Sequence, residues 1–137
     1  MNSPEISVHD NVVKGYSVLC EERKIVIHTA FREREPHEQT DVIFRDVEAY
    51  YIANDNLKTI LFDITECPFS ELLAEYASEF ETGVKYCWPG AWNKSPEACS
   101  EFLTKNGSRG WTIDSSIGMT GFIIARSMEM RSVESGA

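Results

Sequence analysis

From Asn11 to Glu66 the chain alternates apolar and polar residues in short runs separated by polar turns, and no three-to-four-residue period competes with that alternation. This constrains the fold more than any other feature. Side chains two apart share one face of a strand, so each run offers one apolar face for a core. In the first, Val12, Tyr16, Val18 and Cys20 fall together, and Glu21 to Lys24 makes a charged turn. In the second, Ile25, Ile27, Thr29 and Phe31 share a face, with Val26, His28 and Ala30 opposite. A polar loop from Arg32 to Gln39 leads to Asp41–Ile52, whose alternation changes phase near Asp46 and so predicts a bulge. After the turn residues Asn54-Asp55-Asn56 comes Leu57–Ile64, apolar on both faces at Ile60-Leu61-Phe62, which predicts a central strand covered on both sides.

The pattern then switches. Phe69, Leu72, Leu73, Tyr76 and Phe80 recur at helical spacing, with Glu71, Glu75 and Glu79 on the other side and Gly83 as terminator. A second helix opens with Ser95 as N-cap, Pro96 at its first position and Glu97 in the first turn, and ends near Lys105-Asn106-Gly107. Its expected buried stripe is Ala98, Cys99, Phe102 and Leu103. A last hairpin pairs 111–115 with 121–126, and the tail after Ser127 carries no pattern and is expected to fray. Strands followed by helices predict an α+β fold: an antiparallel β-meander with two helices packed on one face and a closing C-terminal hairpin. At 137 residues the chain is one domain long, with 128–137 as its tail.

The formal charge of −9 argues against a phosphate backbone as partner, since nucleic-acid affinity rests on Lys and Arg. The densest basic pair, Arg32 and Arg34, alternates with Glu33 and Glu35 and reads as a solvated loop. The first residues have neither a basic n-region nor an apolar h-region, and no apolar run approaches the roughly 20 residues that cross a bilayer, so the cytoplasm is the expected location. Cys20, Cys67, Cys87 and Cys99 lack metal-knuckle or redox spacing and are expected as free thiols, with no metal and no cofactor.

The stretches Thr40–Phe44, Val47–Tyr50, Ile60–Ile64 and Trp88–Trp92 resemble a group of small bacterial proteins of unassigned function. The resemblance spans most of the chain. It implies a bacterial source and a shared fold, and it brings no activity or site residue with it.

No glycine-rich phosphate loop, glycine-flanked serine elbow or helical histidine pair is present. Two sets of residues remain as candidates. Asp63, interrupting an apolar strand, with His28 and Tyr50, would make an acid/base site if the fold brought them together, and Glu66, Glu48 and Asp46 would add carboxylates to it. Ser115 and Ser116 lack an identifiable base and fit a turn. The segment Tyr86-Cys87-Trp88-Pro89-Gly90-Ala91-Trp92 is the other, and Tyr86, Trp88 and Trp92 are its binding candidates. Aromatic residues around Pro-Gly either cap a core or anchor a partner. The reading favoured is a small acidic binding module whose partner is another protein or a small ligand, by analogy with immunity proteins that neutralise basic toxins. A small enzyme is the alternative.

Overall fold

A computed structural model describes residues 6–33 and 35–133, so the first five residues, Arg34 and the last four residues lie outside the description. Strands β1 (Val12–Leu19), β2 (Lys24–Phe31), β3 (Glu38–Ala53) and β4 (Ile60–Cys67) come first. Helices α1 (Phe69–Glu75) and α2 (Ala77–Gly83), a 3-10 turn (Val84–Tyr86) and α3 (Pro96–Lys105) follow, and β5 (Arg109–Ile117) and β6 (Thr120–Val133) end the chain. All pairings are antiparallel, in the closed order β1-β2-β3-β6-β5-β4. The fold is α+β, as the segregation of strands and helices along the sequence predicts. Closure between β1 and β4 is short. It rests on the Val12 to Ile60 pair and on backbone bonds from Val13 to Thr59 (3.0 Å) and from Leu61 to Asn11 (2.9 Å).

Two apolar clusters divide the molecule. Ile25, Ile27, Val42, Phe44, Leu61, Trp111, Ile113 and Ile123 fill the barrel, with Trp111 edge-on to Phe44 at 5.6 Å. On the outside, Leu72, Leu73, Phe80, Cys99 and Leu103 of the helices bury Ala49, Phe122 and Ile124 of β3 and β6. Burying each large apolar side chain contributes roughly 1.5–3 kcal/mol, so the helix layer forms a second, smaller stabilising core on the outer sheet face. Gly110 lets this layer close down, because a Cβ there would stand 2.8 Å from Leu72 Cδ1.

The bulge read near Asp46 is present. Asp46 takes φ 55°, and the ladder with β6 slips between Val47 and Ala49, leaving Glu48 unmatched. Ser95 caps α3, its Oγ accepting from the Ala98 N–H at 3.0 Å, and Gly107 follows the helix at φ 81°.

Elsewhere the structure corrects the sequence reading. A register shift between Val13 and Gly15 sends Val13 and Val18 inward and leaves Tyr16 37% exposed and outside the core, so Val12 and Tyr16 do not set the buried face of β1. The fourth strand starts at Ile60, with Leu57 wholly in solvent, and is not doubly covered: Phe62 is 54% exposed, its ring against His9. The strand buried on both faces is β6, where Phe122 to Ala125 are fully inaccessible. The single helix expected over 69–80 is broken at Tyr76 (φ −108°, ψ 27°), which re-aims α2 so that Phe80 stacks on Phe122. The stretch after Ser127 is not frayed as far as Val133. It pairs with 39–45 of β3 and turns Met128 and Met130 toward the barrel interior.

Candidate functional site

β2 has 8 residues and β3 has 16, and the β2 ladder ends where Lys24 meets Arg45. Beyond that point β3 pairs with β6 on one side and, among the described residues, with no strand on the other. Alternate N–H and C=O groups of the overhanging half therefore face away from β6 without a ladder partner. The β1–β2 turn guards the start of this edge: Val47 N–H donates to Arg23 O (2.9 Å), and Arg23 Nε donates to Val47 O (3.1 Å). Past Val47 the two diverge, and a groove of about 870 Å³ opens between them.

Val18, Leu19 and Cys20 form one bank of the groove and residues 47–52 the other, with Trp88 and Pro89 at its end. Arg23, Lys24 and Glu48 provide its charge. Glu48 is committed, its Oε1 accepting from Arg23 Nη2 (3.2 Å) and from Asn106 Nδ2 (3.0 Å). The Lys24 ammonium has no ion pair among the described residues, so this groove has a cationic rim in an acidic protein. Outside the groove lining, the Tyr16 hydroxyl donates to Asp55 (2.7 Å), and that bond, burial and the Asp55 charge push the Tyr16 pKa up.

The aromatic segment is held from below. Trp88 is half-buried, its ring 5.6 Å from Phe80, 6.0 Å from Tyr51 and 6.3 Å from Phe122. Asn93, nearly inaccessible, donates through Nδ2 to the carbonyls of Phe80 (2.7 Å) and Trp88 (2.8 Å), while Cys99 Sγ donates to its Oδ1 (3.2 Å). Gly83 carries no side chain because a Cβ would stand 2.5 Å from Trp88 Cε3. Trp92 stacks on Phe102 at 5.4 Å and 12°, and Phe102, 37% exposed, is not part of the buried stripe of α3, which is Cys99 and Leu103. Tyr86 is 76% exposed. The three binding candidates are thus brought together only in part: Trp88 walls the groove, Tyr86 projects near it, and Trp92 is separate, covering α3.

The acid/base candidates are not brought together, and no hydrogen bond joins any two of them. His28 Nδ1 is 2.7 Å from Asp41 Oδ1 on the outer face of β2 and β3. Asp63 Oδ1 accepts the Ile64 N–H (2.8 Å) and stands opposite Asp114 of β5. Tyr50 lines the groove. Glu66 pairs with Arg109, whose hydrogen bonds hold its carboxyl below the usual carboxylate range. Among the described residues no group of three or more His, Cys, Asp or Glu is placed to hold a metal ion. Ser115 donates to the Met119 carbonyl, the turn role its position suggests. The four cysteines are free. No helix among the described residues is long and apolar enough to cross a membrane.

Sequence reasoning missed the overhang itself and, with it, Arg23, Lys24 and Glu48 as groove residues. The local signal was limited to the phase change at Asp46, because an unpaired edge depends on which strands become neighbours. No protein-family model matches the chain, and neither a curated protein nor a solved structure is significantly similar to it.

Proposed function

We propose that this protein is a binding module that takes an extended segment of a partner protein into the groove, as an added strand on the free edge of β3. The observation that carries this reading is the unpaired half of β3 forming one bank of a groove walled by Trp88. Strand addition draws affinity from main-chain hydrogen bonds and specificity from pockets for alternate side chains. Here Tyr50 and Trp88 offer aromatic surface and Lys24 a cation, which suits a segment with apolar residues and an acidic one beside them. The acid/base alternative draws no support from His28, Asp63 and Tyr50: His28 meets Asp41, Asp63 accepts from the Ile64 N–H, and Tyr50 lines the groove.

The test is selection of peptides from a displayed random library on the folded protein, followed by amide hydrogen exchange of the complex. Selected peptides should slow exchange across 48–53 and lose affinity roughly tenfold or more on Trp88→Ala, the scale of an interface anchor. Peptides that bind while leaving exchange over 48–53 unchanged would refute strand addition.

A further inference from the structure

A second, shallower groove of about 370 Å³ shares Tyr51 and Trp88 with the first. Its walls are the rings of Tyr51, Tyr86 and Trp88, with Glu79 of α2 at its side. Tyr51 and Trp88 meet edge to face at 73°, so the two rings form a corner rather than a flat wall. Tyr86, held at the end of the 3-10 turn, contributes a third ring that is mostly in solvent. Glu79 makes no hydrogen bond or salt bridge with another described residue, although its charge is close enough to help hold the Tyr76 proton. An aromatic corner with an uncommitted carboxylate suits a cation on an apolar stem: ring faces attract the charge and the carboxylate completes it.

The surrounding charge points the same way. Between Asp63 and Gly83 the chain carries Asp63, Glu66, Glu71, Glu75, Glu79 and Glu81 and no Lys or Arg. Of these, only Glu66 has a basic partner, Arg109. Asp63 and Glu66 lie on β4 and the other four on α1 and α2; Lys85 stands next to Tyr86 but does not line the groove, whose one charged residue is Glu79, and that charge favours approach of a basic group.

From this we infer that the Tyr51–Tyr86–Trp88 corner, with Glu79, is a receptor for a lysine or arginine side chain presented by a basic partner protein. The lysine stem lies along Trp88 and Tyr51, and its ammonium sits between Tyr86 and the Glu79 carboxylate. This site does not depend on strand addition at β3, with which it shares only the Trp88 and Tyr51 walls.

The probe is Nα-acetyl-lysine methylamide, titrated into isotopically labelled protein and followed by NMR, with its Nε-acetylated form as the neutral control. The lysine probe should shift the Tyr51, Tyr86 and Trp88 ring resonances with a Kd on the order of millimolar, as expected of one side chain. The neutral form should bind at least roughly threefold more weakly, and Glu79→Gln and Tyr86→Ala should each weaken the lysine probe by a similar factor. Both changes lie at exposed or unbonded groups, so unchanged melting temperatures will show that the fold is intact. Equal shifts from the charged and neutral probes, or lysine-induced shifts spread over α1 and α2 and unaffected by Glu79→Gln, would overturn the inference. Either result leaves strand addition at β3 standing, because that reading is scored by exchange over 48–53.

Discussion

Asn93 is the residue on which the position of Trp88 depends most directly. Its Nδ2 satisfies two carbonyls, Phe80 O at the end of α2 and Trp88 O in the loop, and its Oδ1 accepts from Cys99 of α3. Truncation to Ala strands the buried Phe80 carbonyl, at a cost of roughly 1–3 kcal/mol, and removes the partly exposed bond to Trp88, worth roughly 0.5–1.5 kcal/mol. The sum is about 1.5–4.5 kcal/mol, and at about 3–5 °C per kcal/mol for a domain of this size the melting temperature should fall by roughly 5–22 °C. Asn93→Asp should be worse, because it keeps the shape while aiming carboxylate oxygens at the same two carbonyls. An exposed comparison exists in Asn54, whose Nδ2 donates to Thr120 Oγ1 (3.2 Å) from a backbone at φ 58°. Asn54→Gly, which tolerates that φ, should cost no more than about 0.5 kcal/mol. Thermal unfolding by circular dichroism, with Trp emission read in parallel, measures all three variants. A shift within about 2 °C for Asn93→Ala, or Asn93→Asp milder than Asn93→Ala, would refute the latch.

Other outcomes follow from single sites. Burial, with the charges of Glu75, Asp114 and Glu79 behind it, pushes the Tyr76 pKa from 10.0 to about 12. Folding thus retains this proton more strongly than the unfolded chain does, the resulting stabilisation is fully present below pH 10 and fades as the pH rises toward 12. Tyr76→Phe should flatten the loss of stability over that alkaline range, and an unchanged slope in a pH series of urea melts would contradict the assignment. At Gly121, φ 151° suits glycine and a Cβ would run into the Tyr51 carbonyl, so Gly121→Ala should cost on the order of 3 kcal/mol or abolish folding. A variant with native stability would show that β3 and β6 approach less closely there. The exposed thiols of Cys20 and Cys87 should react first with Ellman's reagent, whereas Cys99, buried and with its pKa raised by that burial, should react last. Loss of a fast phase in Cys99→Ser would reverse that order.

What was legible in the sequence was what local chemistry decides. Ser95 followed by Pro96 specified the start of α3, since a hydroxyl acceptor and a residue without an N–H both suit a helix N-terminus. Ile25, Ile27 and Thr29 gave the inner face of β2 because that strand is regular. The misplaced elements are those where two segments negotiate. Lys14 is left unmatched where β1 slips against β2, and no residue type in the strand announces the new parity. Tyr76 keeps helical spacing with Leu72, Leu73 and Phe80, yet its ring is drawn 4.9 Å from Phe122 and the helix breaks there. The strand to Val133 did carry a signal, Met128 and Met130 alternating with Glu129 and Arg131, but its pairing partner lies more than eighty residues earlier, in β3. The groove was illegible for the same reason: no residue in 48–53 reveals that β2 will end before reaching it.

The bulge in β3 links the fold to both proposed sites. In a regular strand residues two apart share a face, yet Val47 joins the barrel interior while Ala49 packs beneath the helices. The unmatched Glu48 accounts for the switch, and from it the rest of the strand takes its phase: Ala49 and Tyr51 toward the helix layer, Ile52 toward the interior, with Tyr50 alternating onto the same side as Ile52. With the opposite phase Tyr51 would leave the corner it makes with Trp88, and Ala49, small enough to let Leu103 and Phe122 close over it, would be replaced there by Tyr50. The same extra residue also supplies the carboxylate that ties Arg23 of the β1–β2 turn to Asn106 at the end of α3. One inserted position therefore sets which aromatic rings face each side of Trp88 and fixes the turn that begins the free edge. A change at Glu48 acts on both grooves at once, whereas changes at Lys24 or Glu79 act on one alone.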